Sequence, residues 1–485
     1  MHAPIDGTLK ARVAIVLGAL YGLDFNPHRM VVLHDWLAPE LARQGLSDFG
    51  EIVFTMIRLQ EAIARADYDR AERVLEETLA RAAACGIHFL ENHHRVTMCH
   101  GRLARGDVDG AAALLADVRA SQQSPQPFDA WHAEILSAWI ELYRGEPHAA
   151  LEHADLSHAA AALIDAPECL AYAQASRCFC HVALNDLPSL GHALRILQDL
   201  LPRGRSQLAR LMADGIEAIY ASRTGDGPRM RLALERAMAI VRRYDFDRLP
   251  LLTPGFVGEL ALAALDAGIG VEYAQRLIRA FGVQPPTHRT VPDNWPWPLT
   301  LRALGHLRVT LDGKPLPTTR KAQRQPMLML ATLVANGGRD VPLALLAEQL
   351  HPRIRPDSAL ARVEVTLHRL RRLLAVTDAL VVRHGRISLN GSVCDLDLWR
   401  LHTRLKQLDL ATSRRAPQEI AQAADRLLDL YSGPLLEGFL DSTVHAARVR
   451  THERVARSIA GAAAAVTAAG LSPGFLDRAT TLHLA

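Results

Sequence analysis

Residues 358–374 read SALARVEVTLHRLRRLL, and the order of residue types in this stretch predicts an amphipathic helix. Five apolar residues recur at spacings of three or four and share one helical face: Leu360, Val363, Leu367, Leu370 and Leu374. At 100° per residue, the opposite face carries Ala361, Arg362, Val365, His368, Arg369 and Arg372. Arg can bond guanine through two hydrogen bonds, and a small apolar side chain can touch the methyl group of thymine. We therefore predict that this helix lies in the major groove of DNA, with a solvated basic surface helix as the alternative.

The sequence on both sides of this helix predicts a small domain of mixed helices and strands. The expected elements are strands at 299–304 and 306–311, helices at 325–335, 342–350 and 358–374, and a hairpin at 380–389. Pro342 is expected to open the second helix, and Asp357 to cap the third. This order of elements is that of a winged helix.

Base and backbone contacts are expected from different residues of this domain. The predicted base-contacting residues are Arg362, Val365, His368, Arg369 and Arg372. Phosphate contacts are predicted from the hairpin tip and from the start of the first helix: Arg383, Arg386, Arg320, Lys321 and Arg324.

Positive charge is concentrated in the same part of the chain. Residues 299–394 contain 15 Lys and Arg against 6 Asp and Glu, a net +9, whereas all 485 residues carry only +3. A domain that is basic against the trend of its own chain usually faces a polyanion. Double-stranded DNA is therefore the predicted partner.

A regular repeat occupies the first 284 residues. Short turns contain Asp67, Asp107, Glu146, Asp186 and Asp226, which are 40, 39, 40 and 40 residues apart. Asp24 and Asp266 extend the series on either side. A fixed period with one turn between two amphipathic helices is typical of a helical solenoid, whose units bury their apolar faces by stacking. An irregular helical bundle is the alternative, but it would not explain the constant spacing.

Several motifs resemble known families of bacterial regulators. The repeats resemble tetratricopeptide-like units, as found in large ATP-dependent transcriptional regulators related to the maltose-regulon activator. Five segments resemble the response-regulator-type winged helix of actinomycete antibiotic regulatory proteins: LRALGHLRV (301–309), DGKPL (312–316), GGRDV (337–341), LAEQL (346–350) and LHRLRRL (367–373). DLDLW (395–399) and LYSGPLLEG (430–438) are similar to the helical bacterial transcriptional activator domain that follows such winged helices. This resemblance covers residues 299–466.

The chain also departs from that family. His351–Pro352 stands where the family has Trp–Pro, Arg353 and Arg355 replace an acidic stretch, and residues 440–445 lack an expected aromatic. The implied organisation is a repeat domain (1–284), a Pro-rich linker (285–298), a winged helix (299–394), an activator-like domain (395–470) and a tail (471–485). The expected fold is therefore mainly α, with a helical solenoid, a winged helix-turn-helix and a short helical activator domain.

Together these features predict a cytoplasmic, sequence-specific DNA-binding transcriptional regulator whose repeats sense a peptide, a protein or a small effector. RNA polymerase is a further candidate partner. The alternative is a non-enzymatic interaction scaffold whose winged helix no longer reads DNA. We expect no enzyme, cofactor or membrane span, since the sequence has no phosphate-binding loop, no catalytic motif and no apolar run of about 18 residues.

Two clusters of Cys and His are candidate metal sites by their proximity in sequence: His93, His94, Cys99 and His100, and Cys169, Cys178, Cys180 and His181. On a helix, residues 93, 94 and 100 point in different directions, whereas zinc needs converging ligands. We therefore expect core thiols and surface imidazoles, and no metal.

Overall fold

A computed structural model describes residues 27–44, 47–88, 90–121, 126–244, 251–286, 289, 291–316 and 323–484. These residues are mainly helical, as the sequence predicts, with a small amount of sheet in the carboxyl-terminal part. The chain divides into two compact units, Met1–Trp295 and Pro296–Ala485. None of the helices in the described ranges is long and apolar enough to cross a membrane.

The first unit is built from helices alone. They are α1 (Pro27–Gln44), α2 (Asp48–Ala64), α3 (Tyr68–Cys85), α4 (Glu91–Arg105), α5 (Val108–Ser121), α6 (Pro127–Arg144), α7 (Pro147–Ile164), α8 (Pro167–Leu184), α9 (Leu187–Leu200), α10 (Gln207–Thr224), α11 (Gly227–Tyr244), α12 (Pro254–Ala267) and α13 (Val271–Ala280). A short 3₁₀ helix, Leu201–Arg203, follows α9.

These helices pack in consecutive pairs, from α2 with α3 to α12 with α13. The first helix of each pair also contacts the first helix of the next pair, so α2, α4, α6, α8, α10 and α12 form one continuous layer. We call these six helices the first layer. The second helix of each pair packs against the first layer. As a result α8, in the first layer, is buried on most of its surface, whereas α7, the second helix of its pair, buries only one stripe of small residues.

The periodic acids stand at the turns inside four of these pairs. The carboxylates of Asp67, Asp107, Asp186 and Asp226 each accept a hydrogen bond, at 3.0–3.2 Å, from the backbone N–H three residues later. An aspartate at this position satisfies an N–H group that the helix leaves without a partner. The 40-residue spacing of these aspartates therefore reflects a helix cap that recurs at the same place in four helix pairs.

Two members of the series behave differently, and one lies outside the described residues. Glu146 precedes α7 but its side chain accepts no capping bond, and glutamate is not among the residue types favoured at this position. Asp266 lies inside α12, where the predicted turn is wrong; the turn falls at Gly268–Gly270, and Asp266 pairs with Arg289 at 2.5 Å. Asp24 falls in the undescribed residues.

Residues 291–295, predicted as part of a linker, are tied back to the last helix pair. Gln275 on α13 donates to the carbonyl of Asn294 at 2.7 Å, and the Asn294 amide donates to the carbonyl of Leu265 at 3.2 Å. Trp295 is 5% exposed. This proline-rich segment is thus anchored to α12 and α13 through Asn294.

The second unit contains both strands and helices. They are β1 (Leu299–Arg302), β2 (Arg308–Leu311), β3 (Lys314–Pro315), α14 (Arg324–Ala335), β4 (Val341–Pro342), α15 (Leu343–Leu350), α16 (Pro356–Leu374), β5 (Leu380–Arg383), β6 (Arg386–Leu389), β7 (Cys394–Leu396), α17 (Asp397–Arg414), α18 (Pro417–Leu430), α19 (Ser442–Ala468) and α20 (Leu476–Thr481).

The strands form two sheets, with orders β3-β2-β1-β7 and β4-β6-β5. All neighbours are antiparallel except β1 and β7, which pair in parallel with Leu299 opposite Cys394. Strands β3, β4 and β7 were not predicted, because two or three residues are too short to show alternation. β7 also spans the predicted boundary between residues 394 and 395.

Two predicted helix starts need correction. Pro342 belongs to β4, so α15 begins one residue later, because the residue pairs with Arg386 in the sheet. Asp357 is the second residue of α16 and does not cap it; Arg355 is the capping position and makes no side-chain cap bond. Pro356 instead starts this helix with its fixed φ.

One hydrophobic core joins the sheets to all the helices of this unit. The buried carboxylate of Asp397 accepts from the backbone N–H groups of Ala303 and Leu304 at 2.8–3.0 Å and so fastens α17 to the end of β1. Asp395 accepts from Arg302 at 2.6 Å and from Arg400 at 2.8 Å. The DLDLW motif is thus a structural junction.

Candidate nucleic-acid interface

Helix α16 has one buried and one exposed face. Val363, Leu367, Leu370 and Leu374 are at most 5% exposed and pack in the core of the second unit, and the partly buried Leu360 packs against them. Contacts with α14 and α15 hold this apolar face. The opposite face is therefore presented to solvent along the whole helix.

The exposed face carries all five predicted base-contacting residues: Arg362, Val365, His368, Arg369 and Arg372. Within the described part of the chain, no carboxylate lies within 4.0 Å of the three guanidinium groups. Val365 is 54% exposed, although it is apolar and stands among these cations. Unneutralised guanidiniums around an exposed aliphatic side chain can bond a polyanion and make apolar contact at once.

Arg371 differs from its neighbours on α16. Its guanidinium donates to the carbonyl of Leu380 at 3.4 Å, which links the helix to β5. Sequence alone does not separate this structural arginine from Arg369 and Arg372, since all three belong to one basic run.

Strands β5 and β6 form a hairpin whose tip is His384–Gly385, as the sequence predicts. The φ angles of these residues are 50° and 71°, the left-handed values that a two-residue hairpin turn requires. Arg383 and Arg386 lie directly opposite each other at the end of the ladder, and both are exposed. Like charges in this position repel each other.

Asp340 relieves that repulsion on one side. It accepts from Nε of Arg386 at 2.7 Å, and its backbone carbonyl accepts from Nη2 of the same residue at 2.6 Å. Pairing of β4 with β6 brings Asp340, 46 residues away in sequence, to this point. Arg383 has no carboxylate within 4.0 Å among the described residues. Of the two predicted phosphate contacts at the tip, Arg383 is thus the one with an uncompensated charge.

The remaining predicted phosphate contacts are only partly described. Arg324 is the first residue of α14 and is exposed. Arg320 and Lys321 lie outside the described residues. In the sequence, Arg353 and Arg355 stand out only as departures from the resembled family. In the structure, both are exposed immediately before α16. There they add to the positive end of the helix dipole.

His351 stands where the resembled family has a tryptophan. Burial, together with the nearby charge of Arg362, lowers the pKa of this imidazole. His351 is therefore neutral at pH 7 and adds no charge to the basic face.

The helical repeats as a whole were predicted to offer a surface for an effector. Aromatic rings join three helices of the first layer: those of Trp139 on α6 and Phe179 on α8 lie 4.7 Å apart, and those of Phe179 and Phe256 on α12 lie 4.4 Å apart. Gly215 on α10 allows this contact, because a Cβ there would lie 3.0 Å from Cζ of Phe256. Tyr143 donates to the carbonyl of Leu252 at 2.8 Å. Residues 251–256 thus contact α6 at Tyr143 and α8 at Phe179.

The two Cys/His clusters do not form four-ligand sites. Burial raises the pKa of the Cys99, Cys178 and Cys180 thiols to about 12 and that of Cys169 to about 11, which keeps them protonated and unreactive. The expectation of surface imidazoles is wrong for two residues. His94 is completely buried and contacts Thr55 at 3.0 Å, and His100 is 5% exposed.

No protein-family model and no curated protein matches this chain. Any function proposed for it therefore rests on the geometry of the basic face of α16.

Proposed function

We propose that this protein is a sequence-specific DNA-binding transcriptional regulator. The observation that carries the proposal is the exposed face of α16, where Arg362, Arg369 and Arg372 have no carboxylate partner in the described structure. Arginines at this spacing can bond base edges in a major groove, while the exposed Val365 meets a thymine methyl.

The order of elements around α16 supports this proposal. A helix, a short strand, two helices and a hairpin follow one another from α14 to β6, which is the order of a winged helix. The preceding β1–β3 meander and the closing strand β7 agree with the response-regulator type that the sequence resembles. In this arrangement α16 reads bases, and the hairpin with Arg383 meets the backbone.

The amino-terminal unit is proposed to be a helical solenoid of the tetratricopeptide type. Its support is the consecutive pairing of helices with one continuous first layer and repeated aspartate caps.

The test is a binding experiment on the full chain. Duplexes are selected from a random pool, labelled, and titrated by fluorescence anisotropy. We expect Arg369→Ala to weaken binding to the selected site by about 1–3 kcal/mol and to relax the preference at one base pair. The control is Arg426→Ala on α18, which removes an equal charge from an exposed residue far from α16 in sequence.

Two results would contradict the proposal. Equal losses for Arg369→Ala and Arg426→Ala would mean that charge alone, and not base reading by α16, drives binding. A chain that binds no duplex even at low salt would favour the interaction-scaffold alternative.

A further inference from the structure

Two asparagines of the second unit are each followed by glycine. Of the six asparagines in the chain, only Asn336 and Asn390 have this neighbour. Asn336 is the residue at the end of α14, and Asn390 lies in the turn between β6 and β7. The side-chain carbonyl carbon of an asparagine can be attacked by the backbone nitrogen of the next residue. A glycine hinders that attack least, because it has no Cβ.

At Asn336, the groups that would react are engaged in hydrogen bonds. The N–H of Gly337 donates to the carbonyl of Val334 at 2.8 Å. The side-chain amide of Asn336 donates to the carbonyl of Thr332 and to Oε1 of Gln349, each at 2.8 Å. Attack on this side chain would have to break these bonds, so the folded chain protects Asn336.

Asn390 presents the opposite arrangement. Its Oδ1 accepts from the backbone N–H of Ser392 at 3.0 Å, which closes an Asx turn. This bond draws electrons from the side-chain carbonyl and makes Cγ more open to attack. Within the described part of the chain, Nδ2 of Asn390 and the N–H of Gly391 donate no hydrogen bond. Since Gly391 is also exposed, the attacking nitrogen and the leaving amide are both unprotected.

A guanidinium group lies beside this turn. Nη2 of Arg339 is 3.5 Å from the point that a Cβ on Gly391 would occupy. The same group stacks on Trp399, with Cζ 3.9 Å from the ring centroid. A fixed cation near a backbone N–H favours loss of its proton, because the cation stabilises the resulting anion. Arg339 therefore assists ionisation of the Gly391 nitrogen.

We propose that Asn390–Gly391 is a site of spontaneous modification, at which the asparagine is converted to aspartate and isoaspartate. Hydroxide removes the proton from the Gly391 nitrogen, which then forms a bond to Cγ of Asn390. The bond between Cγ and Nδ2 breaks, and the nitrogen leaves as ammonia after taking a proton from water. Water then opens the succinimide ring at either of its carbonyls, so the reaction consumes water and releases ammonia.

Both products change the winged-helix region. Each places a carboxylate beside Arg339 and lowers the net charge of +9 in residues 299–394 by one. Isoaspartate also adds a methylene to the backbone just before β7, at a residue whose carbonyl accepts from the N–H of Cys394 at 2.9 Å. The isoaspartyl form should therefore unfold at a lower temperature than the unmodified chain.

A stable Asx turn without reaction is the competing explanation for the same contacts. The turn would then hold the side chain of Asn390 away from the Gly391 nitrogen, and this asparagine would be as well protected as Asn336. The two explanations differ in the rate at which the folded chain loses the Asn390 amide.

The experiment follows both asparagines in the full chain during incubation in warm, mildly alkaline buffer. Trypsin separates them, because cleavage after arginine gives the peptides 387–400 and 325–339. Mass spectrometry measures conversion from the mass difference between an amide and an acid, and chromatography separates the aspartyl from the isoaspartyl peptide. A parallel incubation in guanidinium chloride gives both rates in the unfolded chain.

Two variants test the role of the glycine nitrogen. Gly391→Ala hinders the attack without a steric clash, since its Cβ would meet Arg339 at 3.5 Å and Trp399 at 3.9 Å, which are ordinary contacts. The matched control is Gly461→Ala, which changes an exposed glycine of α19 with open space around it.

In the folded chain we expect Asn390 to lose its amide at least about tenfold faster than Asn336, because Asn336 reacts only after three hydrogen bonds open. In guanidinium chloride the two rates should agree within about threefold, since this protection is lost on unfolding. Gly391→Ala should slow the loss at Asn390 severalfold, and Gly461→Ala should match wild type.

The proposal is overturned if the folded wild type loses the two amides at the same rate. It is also overturned if Asn390 keeps its amide throughout an incubation in which the unfolded chain loses it. Conversion of Asn390 in folded Gly391→Ala as fast as in wild type would likewise refute it, because the Gly391 nitrogen would then not be the attacking group.

Discussion

Arg383 and Arg386 face each other across the end of the β5–β6 hairpin, and only Arg386 is held by Asp340. If the hairpin meets a phosphate backbone, the two arginines should contribute unequally. Asp340→Ala should remove the carboxylate that neutralises Arg386 and leave the bond to the backbone carbonyl of residue 340. Arg383→Ala should remove the cation that already lacks a carboxylate partner. Arg386→Ala should change DNA binding least, because its charge is compensated in the folded protein.

The magnitudes follow from counterion release. Each phosphate contact contributes about −0.9 to the slope of log affinity against log salt, so one contact changes affinity about 3.5-fold between 50 and 200 mM salt. We expect Arg383→Ala to make the slope shallower by about 0.9 and Asp340→Ala to make it steeper by about the same amount. Loss of the exposed Asp340–Arg386 pair should cost about 0–1 kcal/mol of folding stability. In Asp340→Ala, alanine at the left-handed φ of 53° should cost about 1–2 kcal/mol more.

The assay is fluorescence anisotropy on an unselected duplex, titrated at several salt concentrations. Glu419→Ala is the matched control for Asp340→Ala, since it removes one exposed carboxylate from α18 and should leave the slope unaltered. The reasoning fails if Arg386→Ala flattens the slope as much as Arg383→Ala while Asp340→Ala has no effect. Arg386 would then leave Asp340 freely, and the two arginines would be equivalent.

Three further predictions concern stability, each measured by urea denaturation. Burial lowers the pKa of His94 and His100 to about 4, so below pH 6.5 only the unfolded chain takes up their protons. The free energy of unfolding should therefore fall as pH drops from 6.5 towards 4, by roughly 2 kcal/mol for each histidine at pH 5, and a flat profile would contradict this. Asp397→Ala should lower the free energy of unfolding by about 2–5 kcal/mol, because it leaves two buried N–H groups without an acceptor. Asp397→Asn keeps an acceptor oxygen and should cost much less. Equal losses for the two variants would show that these hydrogen bonds are not the cause. Gly215→Val should cost about 1–3 kcal/mol, since its Cβ meets Phe256, and Phe256→Leu should restore part of that loss.

Local periodicity let the sequence predict the features that depend on neighbours within a few residues. An aspartate caps the N–H three residues later, so a 40-residue spacing of acids marked the helix pairs correctly at Asp67, Asp107, Asp186 and Asp226. The same logic, at 100° per residue, separated the buried and exposed faces of α16. It failed at Asp266, where the series continues in sequence but the helix continues past it.

Contacts between distant residues were decided only by tertiary packing. Pairing of β4 with β6 brings Asp340 to Arg386, helix packing brings His132 to His100, and residues 251–256 return to Tyr143 across a separation of 109 residues. Spacing along one helix or strand carries no information on which element packs beside it. The charge that each arginine presents and the contact between the His100 and His132 imidazoles are therefore properties of the folded chain. The periodicities by themselves determined the helices, the turns at four of the acids and the basic face of α16.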